Sequence, residues 1–264
     1  MTSRERDYIA ALCAARAGLS VETERGYLLE SRLGLIARRE GYGSICELVR
    51  AVRDRGEERL VWSVVEAMAP AQSAFFRDPA VFEALGQHLQ ARAGAGAPLR
   101  VWSAACGTGQ EIYSLAMLVE ERRIEGVELF ASDLSARGLE RAQAGAYTAL
   151  EVQQGLSARR LVRHFANADE AFLISPSLRR QVRWRRMNLI EPPAGAGAFD
   201  VILCRYVLAS MLEPARARVL THLGQALRPG GQLVLGPQET AEGFSPVSGR
   251  AGVFEAPAPG AMAA

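Results

Sequence analysis

The stretch Val101–Ser114, VWSAACGTGQEIYS, decides the fold. A short apolar segment runs into a turn of small residues (Ala104, Ala105, Gly107, Gly109) and then into a helical pattern. Small residues at a strand-to-helix turn let a ligand approach the backbone closely, and the helix start offers unpaired N–H groups. Further along, Leu129-Phe130-Ala131-Ser132-Asp133 puts an acid at the end of a second apolar strand. An acid there accepts hydrogen bonds from the two hydroxyls of a ribose. The pair of signals points to a nucleoside cofactor.

The turn itself narrows the choice. A dinucleotide site calls for G-x-G-x-x-G, whereas this turn reads Gly107-Thr108-Gly109-Gln110-Glu111-Ile112 and lacks the third glycine. Glu111 sits where a pyrophosphate would lie, and a carboxylate repels phosphate but suits an amine-bearing ligand. Near the C-terminus, Leu227-Arg228-Pro229-Gly230-Gly231-Gln232-Leu233-Val234-Leu235 reads as a helix end, a Pro-Gly-Gly turn and a strand. The small-residue loop, the ribose acid and the late P-G-G turn together resemble class I methyltransferases that use S-adenosylmethionine.

Composition sets the outer bounds. The chain has 264 residues, 49% of them hydrophobic and 23% charged, as in an ordinary globular protein with room for one large domain or a small and a medium one. All 31 basic residues are arginine, a bias that lowers the functional weight of any single one. A net charge of +2 argues against bulk nucleic-acid binding. Cys13, Cys46, Cys106 and Cys204 form no C-x-x-C pair, so neither a zinc site nor a disulfide framework is expected. The N-terminus MTSRERDYIAAL has no long apolar core, and no run approaches the ~18 apolar residues of a spanning helix. A cytoplasmic protein without membrane insertion is expected, and nothing in the sequence requires more than a monomer.

Around the central motif the chain divides by pattern. Residues 1–90 read as a helical N-terminal domain, with apolar positions recurring at three- and four-residue spacing and Ser44 placed to cap a helix over Ile45–Arg55. Residues 91–98, ARAGAGAP, read as a linker. Residues 99–245 alternate strands with helices, which predicts an α/β domain with a doubly wound, mainly parallel sheet. Residues 146–180 interrupt that alternation and read as a small inserted subdomain. Residues 246–264, rich in Gly, Ala and Pro, read as a disordered tail.

With these residues assembled, the chain resembles the CheR family of chemotaxis methyltransferases over about residues 8 to 240. The likeness rests on Gly18-Leu19-Ser20, on Tyr27-Leu28-Leu29-Glu30-Ser31-Arg32-Leu33 and on Phe75-Phe76-Arg77-Asp78. It continues through the VWSAAC-GTGQE-YS and ASDLS motifs, Asn188-Leu189, and Phe199-Asp200-Val201-Ile202-Leu203-Cys204-Arg205, all in family order. The resemblance implies methyl transfer from S-adenosylmethionine to glutamate side chains of a chemoreceptor, with S-adenosylhomocysteine as product and the receptor's cytoplasmic helical bundle as partner. It implies cofactor contacts from Ser73, Arg77, Glu111, Asp133, Asn188, Leu189, Cys204 and Arg205. Glu111 would meet the amino group, Asp133 the ribose, and Asn188-Leu189 would border the adenine. Arg77 is the one catalytic candidate, expected near the transferred methyl; pairing with Asp78 or Glu83 is its structural alternative. Arg32, Arg38 and Arg39 would face an acidic receptor, or else form a solvated helix face.

The sequence also departs from the family pattern. The family's T-N-E-T-type segment reads Ala69-Pro70-Ala71-Gln72-Ser73, its C-R-N-V reads Cys204-Arg205-Tyr206-Val207, and its tyrosine four residues on is Ser210. These changes keep two other functions open: a degenerate relative that binds receptor or cofactor without methyl transfer, and a methyltransferase with a different acceptor. His88, His164 and His222 are read as structural.

Overall fold

The computed structural model describes residues 1–24, 26–70, 73–94 and 96–256. Among them the chain divides into two compact units, one of residues 1–70 with 207–219, the other of residues 71–206 with 220–264.

In the first unit, four amphipathic helices pack through one buried stripe each: α1 (Ser3–Ala17), α2 (Gly26–Arg39), α3 (Ile45–Arg55) and α4 (Glu58–Met68). Ile9, Cys13, Leu29, Leu33, Leu48, Val52, Leu60, Val61 and Val64 form its core. Local chemistry sets the helix ends. Thr2 and Glu5 make a reciprocal capping box on α1, and Gly18 closes it in the left-handed conformation with φ 65°. Ser44 caps α3 by accepting from the Glu47 N–H, at the bounds expected from the sequence.

The second unit opens with α5 (Pro79–Arg92), which corrects the expected boundary at 91–98. Val81, Phe82, Leu85 and Leu89 of this helix, with Phe75 and Phe76 before it, belong to the same buried cluster as the sheet residues that follow. The apolar face of α5 therefore ties it to the α/β unit: Ala91 and Arg92 of the expected linker still belong to the helix, and residues 96–98 lead into β1 (Leu99–Ser103).

From there strands and helices alternate: α6 (Gln110–Glu121), β2 (Val127–Asp133) and α7 (Ala136–Ala144). The insert then supplies β3 (Ala146–Tyr147), α8 (Ala149–Gln153), α9 (Ala158–His164), β4 (Phe165–Ala168) and β5 (Ala171–Ile174). Its strands make a separate three-stranded sheet ordered β3-β5-β4. After α10 (Pro176–Arg180) come β6 (Val182–Arg186), β7 (Phe199–Leu203), α11 (Glu213–Ala226), β8 (Leu227–Val234), β9 (Ser245–Pro246) and β10 (Val253–Glu255).

The main sheet runs β6-β2-β1-β7-β8-β10-β9. Strands β6, β2, β1, β7 and β8 pair in parallel, and β10 closes antiparallel against β8. The chain leaves β1 to one side for β2 and later returns to its other side with β7. A crevice opens at the carboxyl ends where that order reverses, and α/β proteins bind ligands there. The doubly wound parallel sheet expected from the sequence is present.

Two local expectations change. The P-G-G segment lies inside β8 as a loop-out: Phe199 pairs with Leu227 and Val201 with Gln232, leaving the residues between to bulge. Gly230 takes φ 72° there. The expected disordered tail is overturned up to residue 256, because Val253, Phe254 and Glu255 pair with Val234, Leu233 and Gln232 and cover the edge of β8. An edge strand with unpaired N–H and C=O groups gains a full ladder from even three residues. Residues 257–264 of that tail lie outside the described residues, as do Ala71 and Gln72 of the segment before Ser73.

Candidate active site

The site is built entirely in the second unit, at the ends of β1, β2 and β7. Strand β1 stops at Ser103, level with Leu203 of β7, and the Ala104 N–H donates to the Leu203 carbonyl at 2.8 Å. The loop that follows needs two left-handed residues, Gly107 at φ 55° and Gly109 at φ 94°, before α6 begins. Space is limited too: a Cβ on Gly109 would lie 3.0 Å from the Ala142 Cβ and 3.1 Å from the Tyr147 Oη.

Asp133, at the end of β2, organises this loop. Its Oδ2 accepts the Gly107 N–H at 2.7 Å, and its Oδ1 accepts the Ser135 N–H at 2.8 Å. Beneath it the Trp102 indole donates to the Ser132 Oγ at 2.9 Å, and that hydroxyl donates to the Ala104 carbonyl at 3.1 Å. Tyr147 fixes the other flank by donating to the Thr108 carbonyl at 2.8 Å.

A second cluster adjoins the loop through Glu111 in the first turn of α6. Glu111 accepts from the Ser103 hydroxyl at 2.7 Å and from Arg205 Nη1 at 3.2 Å. The Arg205 side chain is almost wholly buried. Its Nη2 donates to the Arg77 carbonyl at 2.9 Å and to the Asp78 carboxylate, while its Nε has no acceptor among the described residues. Asp78 also receives the Tyr206 hydroxyl. Burial and the Asp78 carboxylate push the Tyr206 phenol up from its ordinary value. The Tyr206 N–H donates to Glu239 Oε2 at 2.7 Å, and the Gly236 N–H donates to the same oxygen at 2.8 Å. Phe76, Asp78 and Tyr206 all take positive φ, 48°, 60° and 61°. Such strain gathers at functional sites where the surroundings hold it in place.

Arg77 differs from Arg205 in having no carboxylate partner among the described residues. Its guanidinium lies 3.3 Å from the centroid of the Tyr206 ring. The structural alternative for Arg77 is thereby corrected: Asp78 is taken by Arg205, and Glu83 by Arg122.

The remaining candidates fall around these two clusters. Ser73 approaches the glycine loop, its Cβ 3.6 Å from where a Cβ on Gly107 would sit. Asn188 and Leu189 follow β6 next to Asp133, since the Met187 N–H donates to the Asp133 carbonyl at 3.0 Å. The Leu189 carbonyl meets His222 Nδ1 at 3.1 Å. Cys204 is buried at the end of β7, its N–H donating to the Val234 carbonyl at 2.9 Å. Burial pushes its thiol and that of Cys106 well up, so both act as small apolar groups. Ser210 belongs to the first unit, where its hydroxyl donates to the Val207 carbonyl at 2.7 Å. Asp78 and Glu239 are the residues that sequence reasoning passed over. Asp78 stood beside Arg77 in the FFRD motif; Glu239 carried no signal.

Taken as a whole, the arrangement fits an amino-acid nucleoside. Two glycines bring the loop close to a ligand, Asp133 offers acceptors for ribose hydroxyls, and Glu111 offers an anion for an ammonium group. The unpartnered Nε of Arg205 offers a donor for a carboxylate. No group of three or more metal-ligating side chains occurs among the described residues, and no helix there is long and apolar enough to cross a membrane.

This fold with this site defines a class I methyltransferase that binds S-adenosylmethionine. Residues 71–249 match the family described as CheR methyltransferase, SAM binding domain. The chain is 36% identical over 234 residues to chemotaxis protein methyltransferase 1 of Pseudomonas aeruginosa, covering 84% of this chain and 85% of that one. It is 33% identical over 238 residues to chemotaxis protein methyltransferase Cher2 of Pseudomonas putida, covering 86% of each. A chemotaxis protein methyltransferase of Vibrio anguillarum is 33% identical over 239 residues, covering 88% of this chain and 87% of that one. The chain belongs to the CheR methyltransferase family, and S-adenosylmethionine is its cofactor.

Proposed function

We propose that the protein transfers a methyl group to glutamate carboxylates on the cytoplasmic helical bundle of a chemoreceptor, acting as a monomer in the cytoplasm. The observation that carries the reading is Arg77, a cation without a carboxylate partner among the described residues, next to a cluster in which Arg205 pairs with Asp78 and Glu111. Bound S-adenosylmethionine supplies an electrophilic methyl on a sulfonium. An acceptor glutamate, with an ordinary pKa of about 4.3, is already ionised at neutral pH, so the site needs no general base. Its residues have to orient and exclude water. Asp133 would accept the ribose hydroxyls, Glu111 the ammonium group, and Arg205 would donate to the carboxylate, with Ser73, Asn188, Leu189 and Cys204 lining the same cradle. Arg77 would hold the acceptor carboxylate in the fork of its guanidinium.

The test uses S-adenosylmethionine labelled in the methyl group and a receptor cytoplasmic fragment. The expected product is a methyl ester, whose label is released as methanol by mild base and is absent when the acceptor glutamates are changed to glutamine. Tyr206, a phenol where the family carries a small amide, favours a second reading in which the acceptor is something other than a receptor glutamate. A base-stable label would establish that reading and overturn the first; no label at all would leave a binding protein.

A further inference from the structure

Tyr206 is held more firmly than packing alone requires. Its backbone is left-handed at φ 61°, a conformation that bulky side chains avoid. Three contacts keep it there: its N–H on Glu239 Oε2 at 2.7 Å, its hydroxyl on Asp78, and its ring edge on Gly236. A Cβ on Gly236 would come within 3.2 Å of both Cδ1 and Cε1 of that ring. The ring so fixed carries the Arg77 guanidinium at 3.3 Å, the closest cation–ring approach among those of the described residues. At that distance an edge-on guanidinium would drive an N–H group into the ring, so it lies with its face to the ring and its N–H groups point outward in its own plane. Stacking also restricts the rotamers of a long side chain. Asp78 joins this ring to Arg205 and, through it, to Glu111.

We propose that Tyr206 is a positioning residue for Arg77, holding the guanidinium face-on so that its N–H edge meets an anionic acceptor. The inference rests on the acceptor reading above, and its test separates the two. The first arm needs no acceptor: the rate at which p-hydroxyphenylglyoxal modifies Arg77 is followed by peptide mass spectrometry. Tyr206→Leu is expected to raise that rate about fivefold, and Tyr206→Phe, which keeps the ring but not its anchor on Asp78, about twofold. Arg100 at the start of β1, stacked on Phe199 and bonded to the Ala196 and Ala198 carbonyls, serves as the internal control and should keep its rate in both variants. An unchanged Arg77 rate would overturn the proposal, as would a parallel rise at Arg100, which would signal general loosening.

The second arm is a double-mutant cycle in methyl transfer to the receptor fragment. Tyr206→Leu should raise the KM for the acceptor about tenfold with a smaller change in kcat, yet cost less than about twofold when Arg77 is already alanine. Equal losses in both backgrounds would mean that Tyr206 acts independently of Arg77. If the wild-type protein makes no ester, the acceptor reading fails while the first arm still decides the stack. Should Tyr206→Leu fail to fold, Tyr206→Phe carries both arms.

Discussion

Asp133 ends strand β2 and Asp78 immediately precedes helix α5, and the two are built into the protein differently. Asp133 clasps Gly107 and Ser135, partners 26 and 2 residues away, and both are backbone N–H groups. Asp78 meets the side chains of Arg205 and Tyr206, 127 and 128 residues away. The Asp133 half holds the loop through backbone N–H groups, placed by strand, turn and helix. The Asp78 half exists only once the sheet has closed, and it depends on particular side chains in strained backbone. A half built on backbone contacts is less sensitive to substitution than one built on paired side chains, and Tyr206, a departure of this chain from the family pattern, sits on the Asp78 side.

The largest effect should come from breaking the long-range half. Arg205→Leu leaves Asp78 and Glu111 without their buried counter-charge, so unfolding by denaturant should show a loss of about 3 kcal/mol. An unchanged stability would mean that the cluster is dispensable and that the contrast between the halves is false. Gly109→Ala attacks the local half, where φ 94° and the contacts to Ala142 and Tyr147 leave no room for a methyl group. A loss of about 1–2 kcal/mol is expected, with weaker S-adenosylhomocysteine binding by calorimetry.

The two buried thiols then report each half separately, since Cys106 belongs to the loop and Cys204 precedes Arg205. Alkylation followed by mass spectrometry should find both inert in the wild type and only Cys204 exposed in Arg205→Leu. Joint exposure would show one cooperative site instead of two halves. The smallest effect concerns α5, which carries Asp78 at its start. Burial, aided by Arg92 and Arg250, lowers the pKa of His88 from 6.5. Its folded value being depressed, the stabilisation from neutral His88 is complete above that unfolded value and fades as pH falls toward the folded one. The Tm of the wild type should thus drop more between about pH 7.5 and 5.5 than that of His88→Gln.

The same contrast explains what was legible in the sequence. The loop from Ala104 to Gly109, the acid Asp133 and the alternation after Leu99 carry their own spacing, so the sheet and the cofactor half could be read directly. The bounds of helix α3 are legible to the residue because Ser44 and Gly56 cap it locally. Nothing local marks Glu239 as the acceptor for two backbone N–H groups, or Asp78 as the partner of Arg205. Sequence alone sets the boundary too late, at 91–98, because α5 shares its apolar periodicity with the helices before it, and only its packing shows which core it joins. Composition hides β10 because a Gly- and Ala-rich segment can still supply three strand residues when an open strand edge is available to pair with them.

The account turns on whether the Asp133 half still assembles a working cradle beside a diverged Asp78 half. Calorimetric titration of the purified protein with S-adenosylhomocysteine tests this most directly. The prediction is micromolar binding that Asp133→Ala abolishes; no heat of binding to the wild-type protein, or equal binding to the variant, would contradict it.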